Sequence, residues 1–231
     1  MPVWSDFTPA RESATPPQIA IDAASGFADG EELKYSGLYR YGTEQSAWLS
    51  VWRFNTPNRS IDVDTISNMV SSSSPIGEIK RTDNHLNMDE ALDLALKYID
   101  SHKIDISGLN LEESKCLQDL TTPDRIYNRY TFRWRGRTPE GIWLPYWIDM
   151  TVYDDGNLGI FNYINRKADV SLEPKVDADE VIQKAVTLSN FTNKAVVNNI
   201  DLFVGWDKTA TQRLMWNIDL IDDSLKSQSL L

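Results

Sequence analysis

Asn87-Met88-Asp89-Glu90-Ala91-Leu92-Asp93-Leu94-Ala95-Leu96-Lys97-Tyr98-Ile99 is the stretch on which the reading of this chain turns. Apolar residues fall at 88, 91, 92, 95, 96 and 99, the spacing of one buried helical face. Asn87 is placed to cap the first turn, and Glu90, at the third helical position, reaches back as in a capping box. Ninety residues later the construction recurs as Asp177-Ala178-Asp179-Glu180-Val181-Ile182-Gln183-Lys184-Ala185-Val186. Asp177 and Glu180 take the cap positions, and 178, 181, 182, 185 and 186 are apolar. A match at a single offset predicts a repeated unit if the segments after the two helices also correspond.

After the first helix and a polar connection, Tyr127-Asn128-Arg129-Tyr130-Thr131-Phe132-Arg133-Trp134-Arg135 alternates aromatic residues with Arg and Thr, the pattern of a half-buried strand. Residues 145–153 alternate again, with Tyr146, Ile148, Met150 and Val152 on one face. Asp154-Asp155-Gly156-Asn157 is a strong hairpin turn, and 158–164 returns as the partner strand. After the second helix, 199–206 and 213–221 read as two strands across Asp207-Lys208-Thr209, and a last strand pair is missing. In the N-terminal third, 47–54 and 60–70 read as strands about Thr56-Pro57-Asn58, before Ser71-Ser72-Ser73-Ser74-Pro75 breaks the chain.

This pattern predicts an α+β fold made of repeated units, each one helix packed on a small antiparallel sheet. The expected division is a flexible leader at 1–18, rich in Pro, Ser and Thr, a partial strand-rich unit at 19–75, a central helix-plus-meander unit at 76–167, and a second, incomplete unit at 175–231. Linkers are expected near 71–85 and 167–175. An unfinished sheet leaves open strand edges, which allow dimerisation.

A capped helix with an acidic-Glu-Ala-x-x-x-Ala run, followed by strands ending in apolar-x-apolar-Asp and a glycine turn, resembles the PepSY domain of peptidase propeptides and YpeB-like proteins. Asp89, Glu90, Ala91 and Ala95 carry the resemblance in the first helix, and Asp179, Glu180 and Ala185 in the second. The terminal strand signature is matched by Ile19-Ala20-Ile21-Asp22-Ala23-Ala24-Ser25-Gly26, by Ile61-Asp62-Val63-Asp64-Thr65, and loosely by Met150-Thr151-Val152-Tyr153-Asp154-Asp155-Gly156. The resemblance implies an extracytoplasmic setting (secreted or cell envelope) and a role in restraining a peptidase or binding another envelope protein. It brings no catalytic residues with it.

Composition bounds the remaining possibilities. The chain has 231 residues, a net charge of −11 and a pI near 4.6, so its long-range field repels polyanions and argues against nucleic acid as a partner. No run approaches the about 20 apolar residues of a membrane span, and no membrane insertion is expected. Cys116 is alone, and no Cys/His cluster has zinc-site spacing, so no cofactor or metal is assigned.

Reactive residues are sparse. His85 and His102 flank the first helix instead of sharing a face, and each reads as a solvated helix-end residue. The acid pairs Asp62/Asp64, Asp154/Asp155 and Asp222/Asp223 lack the loop spacing of a calcium site and read as turn and strand-edge acids. Asn58-Arg59-Ser60 and Asn190-Phe191-Thr192 match the glycosylation acceptor pattern, as short patterns do by chance. The eight Trp residues are the unusual feature. Aromatics on both parities of the strands leave an aromatic surface on the uncovered side of a sheet, unless they serve as core or as the contact between units. Trp134, Trp143, Trp147 and Tyr153, rimmed by Arg133 and Arg135, are therefore the candidate partner-binding residues, with no catalytic residue assigned.

The expectation is a non-catalytic extracytoplasmic module that binds a protein partner. Two alternatives stand beside it: carbohydrate or small-ligand capture on the aromatic face, and a hydrolase whose acidic site forms only in the fold.

Overall fold

In the computed structural model, which describes residues 8–11, 14–41, 49–77, 85–119, 127–189, 195–207, 211–221 and 227–230, strands outnumber helices twelve to three. In chain order these are β1 (Thr8–Arg11), α1 (Gln18–Ser25), β2 (Lys34–Tyr41), β3 (Leu49–Asn55), β4 (Arg59–Asp64), β5 (Val70–Pro75), α2 (Met88–Ser101), β6 (Asn110–Asp119), β7 (Tyr127–Arg137), β8 (Trp143–Tyr153), β9 (Leu158–Asn165), α3 (Ala178–Leu188), β10 (Val196–Trp206), β11 (Gln212–Ile221) and β12 (Ser227–Leu230). The described residues divide into two units. One draws them from Met1–Thr43, Trp48–Gly136 and Tyr146–Arg166, the other from Arg137–Pro145 and Lys167–Leu231.

Both expected capped helices form. The Asn87 side chain accepts from the backbone N–H groups of Asp89 and Glu90, while Glu90 accepts from the Asn87 N–H at 2.8 Å, a complete capping box. In α3 the Asp177 carboxylate accepts from the Glu180 N–H at 2.8 Å. The segment 19–26, expected as a terminal strand, is instead helix α1. Ala20 and Ala24, one helical turn apart, are its buried residues, and Gly26 caps its end. Two isoleucines do not make a strand when alanines at helical spacing can be buried.

The expected α+β fold of repeated units, each one helix on its own small sheet, is overturned: the described residues are mostly sheet, with only three helices. In the first unit the strands run β1-β2-β3-β4-β5-β9-β8-β7-β6 as one broad sheet. Strands β5 and β9 pair antiparallel, Ser72 with Asn162 and Ser73 with Phe161, and so join the strands after α1 to those after α2. One core lies behind this join. Ala20, Ala24, Ala91, Ala95 and Ile99 of the two helices share a cluster with Phe54, Ile61, Val63, Phe132, Ile148, Met150, Val152 and Phe161 of the strands. Alanines at i, i+4 spacing leave room for the strands' larger side chains to fill the interior.

The serine run expected to break the chain is therefore β5, at the seam. Ser71 and Ser73 are buried, and the Ser71 hydroxyl donates to the Asp62 carbonyl at 3.2 Å. Arg59 bolts the seam from β4. Its Nε donates to Ser73 Oγ at 2.9 Å and its Nη2 to the Ser73 carbonyl at 3.2 Å, while Nη1 reaches the Leu158 carbonyl at 3.2 Å and Nη2 the Gly159 carbonyl at 2.9 Å. Small hydroxyl side chains let the guanidinium reach one backbone carbonyl on β5 and two across the seam on β9.

Tyr98 of α2 packs against Phe161 with ring centroids 5.7 Å apart, and burial pushes its phenol up to about 12 from the ordinary 10.0. The folded state resists forming the phenolate, so stability is whole below pH 10 and falls as pH rises from about 10 to 12, where the unfolded chain has released the proton and the folded chain has not. The loss is roughly 2–3 kcal/mol. Alkaline denaturation followed by circular dichroism should show this fall in the wild type and its reduction in Tyr98→Phe; an unchanged alkaline slope would contradict the assignment.

In the second unit α3 buries Ala185 against Ile218 and Leu220 of β11, with Val181, Ile182 and Val197 around them. Strands β10 and β11 pair antiparallel along ten register positions, and β12 adds to β11. Phe203 of β10 bridges Trp143 in parallel.

Candidate binding face

Strands β6, β7 and β8 alternate cleanly between a covered and an open face. On β7, Tyr130, Phe132 and Trp134 are buried in the core. The intervening Arg129, Thr131, Arg133 and Arg135 are half-buried on the opposite side. On β8, Ile148, Met150 and Val152 are buried while Trp147, Asp149, Thr151 and Tyr153 alternate with them. Strand β6 places Glu113 opposite Arg133 and Lys115 opposite Thr131.

The open face is organised by charge. Arg133 donates through Nε to Asp149 Oδ1 at 2.7 Å and through Nη1 to Glu113 Oε2 at 3.1 Å. Glu113 also receives Lys115, and Arg135 Nη2 lies 3.9 Å from Asp149 Oδ1. The Arg135 guanidinium sits over the Trp147 ring, 4.8 Å from its centroid. Hydrogen bonding from Lys115, followed by the Arg133 and Arg135 charges, holds the Glu113 carboxyl below the usual range. Burial depresses the Arg135 guanidinium, with Asp149 working the other way; for Arg133 burial is outweighed by Asp149 and Glu113, and the net shift is upward. Tyr153 completes the row. A Cβ added at Gly159 would lie 3.1 Å from its Cε2, so the ring covers that glycine.

Of the six residues singled out by sequence, Arg133, Arg135, Trp147 and Tyr153 share this open face. Trp134 does not: it is 4% exposed, in the core beside Phe132. Alternation forces this, since Trp134 lies between two arginines on one strand. Trp143 belongs to the second unit, where its Nε1 donates to Asp201 Oδ1 at 3.2 Å and the Arg137 guanidinium lies 3.5 Å above its ring centroid.

The acid pairs have structural partners. Asp62, 4% exposed, receives Arg53 through Nε and Nη2 at 2.6 Å each. Asp64 receives Arg166 at 2.6 Å together with the backbone N–H groups of Ile66 and Ser67 and the Ser67 hydroxyl. These strand acids are thus buried ion-pair partners, a role their reading as turn and strand-edge acids did not include. Asp154 accepts the Asn128 N–H at 2.9 Å on Oδ2 and the Leu86 N–H on its carbonyl, tying the hairpin to the start of α2. Asp155 accepts from the backbone and side chain of Asn157 at 3.0 and 2.9 Å. His102 caps α2 and stacks on Phe27 and Tyr98 at 4.0 and 4.1 Å, and is half-buried; His85 Nδ1 lies 3.8 Å from Asp154. No group of three or more His, Cys, Asp or Glu side chains suited to a metal ion occurs among the described residues. Asp222/Asp223 and Asn190 lie outside the described residues. No helix among the described residues is long and apolar enough to cross a membrane.

Sequence reasoning missed Arg53, Arg59 and Arg166, three half-buried cations. For Arg53 the signal was available: it is flanked by Trp52 and Phe54 in an apolar strand, where a charge needs a partner.

No protein-family model matches the chain, and no curated protein matches it. Among solved structures it is similar to the Bacillus megaterium YpeB C-terminal domain, at 16% sequence identity and a TM-score of 0.44, over 96% of this chain and 100% of that one.

Proposed function

We propose that this protein is a non-catalytic, extracytoplasmic binding or regulatory module whose open β6–β7–β8 face engages a protein partner, either a peptidase or another envelope protein. The observation that carries the reading is the row Glu113–Arg133–Asp149–Arg135–Trp147, a charge ladder ending in a stacked Trp–Arg pair on the uncovered side of the sheet. Arg and Trp are among the side chains enriched at interface hot spots: Trp offers a large contact area with only two internal rotations to freeze, and Arg a planar fork of donors that also stacks on rings. The partner class and the setting come from the PepSY-like residues Asp89, Glu90, Ala91 and Ala95, not from the face itself.

Sugar capture is less well supported by the same geometry. A sugar stacks on a bare ring, whereas Arg135 occupies one face of Trp147 and Arg137 one face of Trp143.

The test is affinity capture from native envelope and culture fractions with the full chain as bait, beside a Trp147→Ala/Arg135→Ala variant whose circular dichroism matches the wild type. A partner retained by the wild type should bind the variant roughly 30-fold more weakly or worse, the loss expected when interface hot spots are truncated. Equal retention by both baits, or no partner on the wild-type bait, would overturn the proposal.

A further inference from the structure

Strand β6 is ten residues long and pairs with β7, and with no other strand among the described residues. Its outward side therefore offers backbone donors and acceptors to another chain. Sheet edges are usually defended by like charges or by bulges. Here the charges alternate in sign: Glu113 and Lys115 stand two residues apart on the open face, with exposed Leu117 beyond Lys115 on that face and exposed Leu111, past the register shift, opposite Trp134.

The strand is complementary to its own reverse. When two identical edges pair antiparallel to continue a sheet, a two-fold axis stands perpendicular to it, and opposed residues must point to the same face. The axis then passes through a residue, which meets its own copy. An axis at 113 sets glutamate against glutamate, and one at 115 sets lysine against lysine. At 116 the axis opposes Lys115 to Leu117 and takes it away from Glu113 of the other copy. An axis at Ser114 places Glu113 of each copy opposite Lys115 of the other, twice, and continues the row Asp149–Arg133–Glu113 into the second molecule. An axis at 117 sets Leu117 against its copy and leaves Glu113 outside the described ladder.

We infer that β6 is a homodimerisation edge, pairing antiparallel with β6 of a second copy about Ser114. The register shift between Leu111 and Glu113 keeps the regular ladder short. Contacts of this size form and dissolve readily, so the dimer is concentration-dependent. The inference does not depend on the partner proposed for the open face.

Two measurements on the full chain test it. Sedimentation velocity across a concentration series should show a monomer–dimer equilibrium, and Lys115→Glu, at an exposed position, should raise the midpoint concentration about tenfold, since both cross-strand pairs become like-charged. Register is read by oxidation. In a Cys116→Ser background, Ser114→Cys should form an intermolecular disulfide, because opposed residues stand about 5 Å apart at Cα. Native Cys116 should not, because the symmetry places its copy roughly 14 Å away. A monomer at every concentration, a Lys115→Glu dimer as strong as the wild type, or crosslinking through Cys116 or a Leu117→Cys substitution in place of Ser114→Cys would overturn the inference.

Discussion

Replacing Arg59 with alanine should lower the unfolding free energy by roughly 3 kcal/mol, because one guanidinium satisfies Ser73 Oγ and the carbonyls of Ser73, Leu158 and Gly159 at once. Hydrogen bonds from a charged donor are individually stronger than neutral ones, and the substitution leaves their acceptors without that donor where little water can replace it. Arg59→Lys should recover only part of the loss, since an ammonium cannot match a fork that spans two strands. Urea unfolding reads both. The expected result is a lower midpoint at an unchanged m-value. A midpoint within error of the wild type for Arg59→Ala would mean that the backbone pairing of β5 with β9 suffices by itself.

The second large effect is expected at Phe161. It is 1% exposed and stands in β9 opposite Ser73, with the rings of Phe27, Tyr98 and Tyr163 at 5.8, 5.7 and 6.3 Å. The residue thus touches the turn after α1, the face of α2 and its own strand. Phe161→Ala removes the ring at the point where these elements meet and should cost roughly 3–5 kcal/mol by lost transfer energy and the cavity left behind. Phe161→Leu, which retains most of the volume, should cost clearly less. Thermal unfolding by calorimetry separates the two. If alanine and leucine proved equally mild, the three elements would have to be held together by something other than this packing.

Local signals were legible in the sequence, and distant ones were not. The two capped helices, the strands 127–135, 145–153 and 158–164 and the Asp-Gly hairpin are set by periodicity and turn chemistry, which act over a few residues. Strand β6 escaped notice because an edge strand has little core to face. Residues 110–118 of Asn110–Asp119 are largely exposed and show no apolar alternation. The broad sheet was invisible for another reason. Its deciding contact joins Ser72 and Ser73 to Asn162 and Phe161, about ninety residues away, and four serines before a proline look like a linker until they are paired with another strand. The candidate face was half legible. Strand parity places Arg133 and Arg135 together, and the same parity sends Trp134 to the other side, a conclusion that alternation alone could have supplied.

The seam also governs how the gene could be cut. A fragment ending near residue 75, where the serine–proline run invites a boundary, would leave Ile61 and Val63 without the α2 side of their core and Arg59 without its carbonyls on β9. Such a truncation should come out of the cell as inclusion bodies, and the complementary piece with it, whereas co-expressing the two halves gives them the chance to find each other and remain in the clarified lysate.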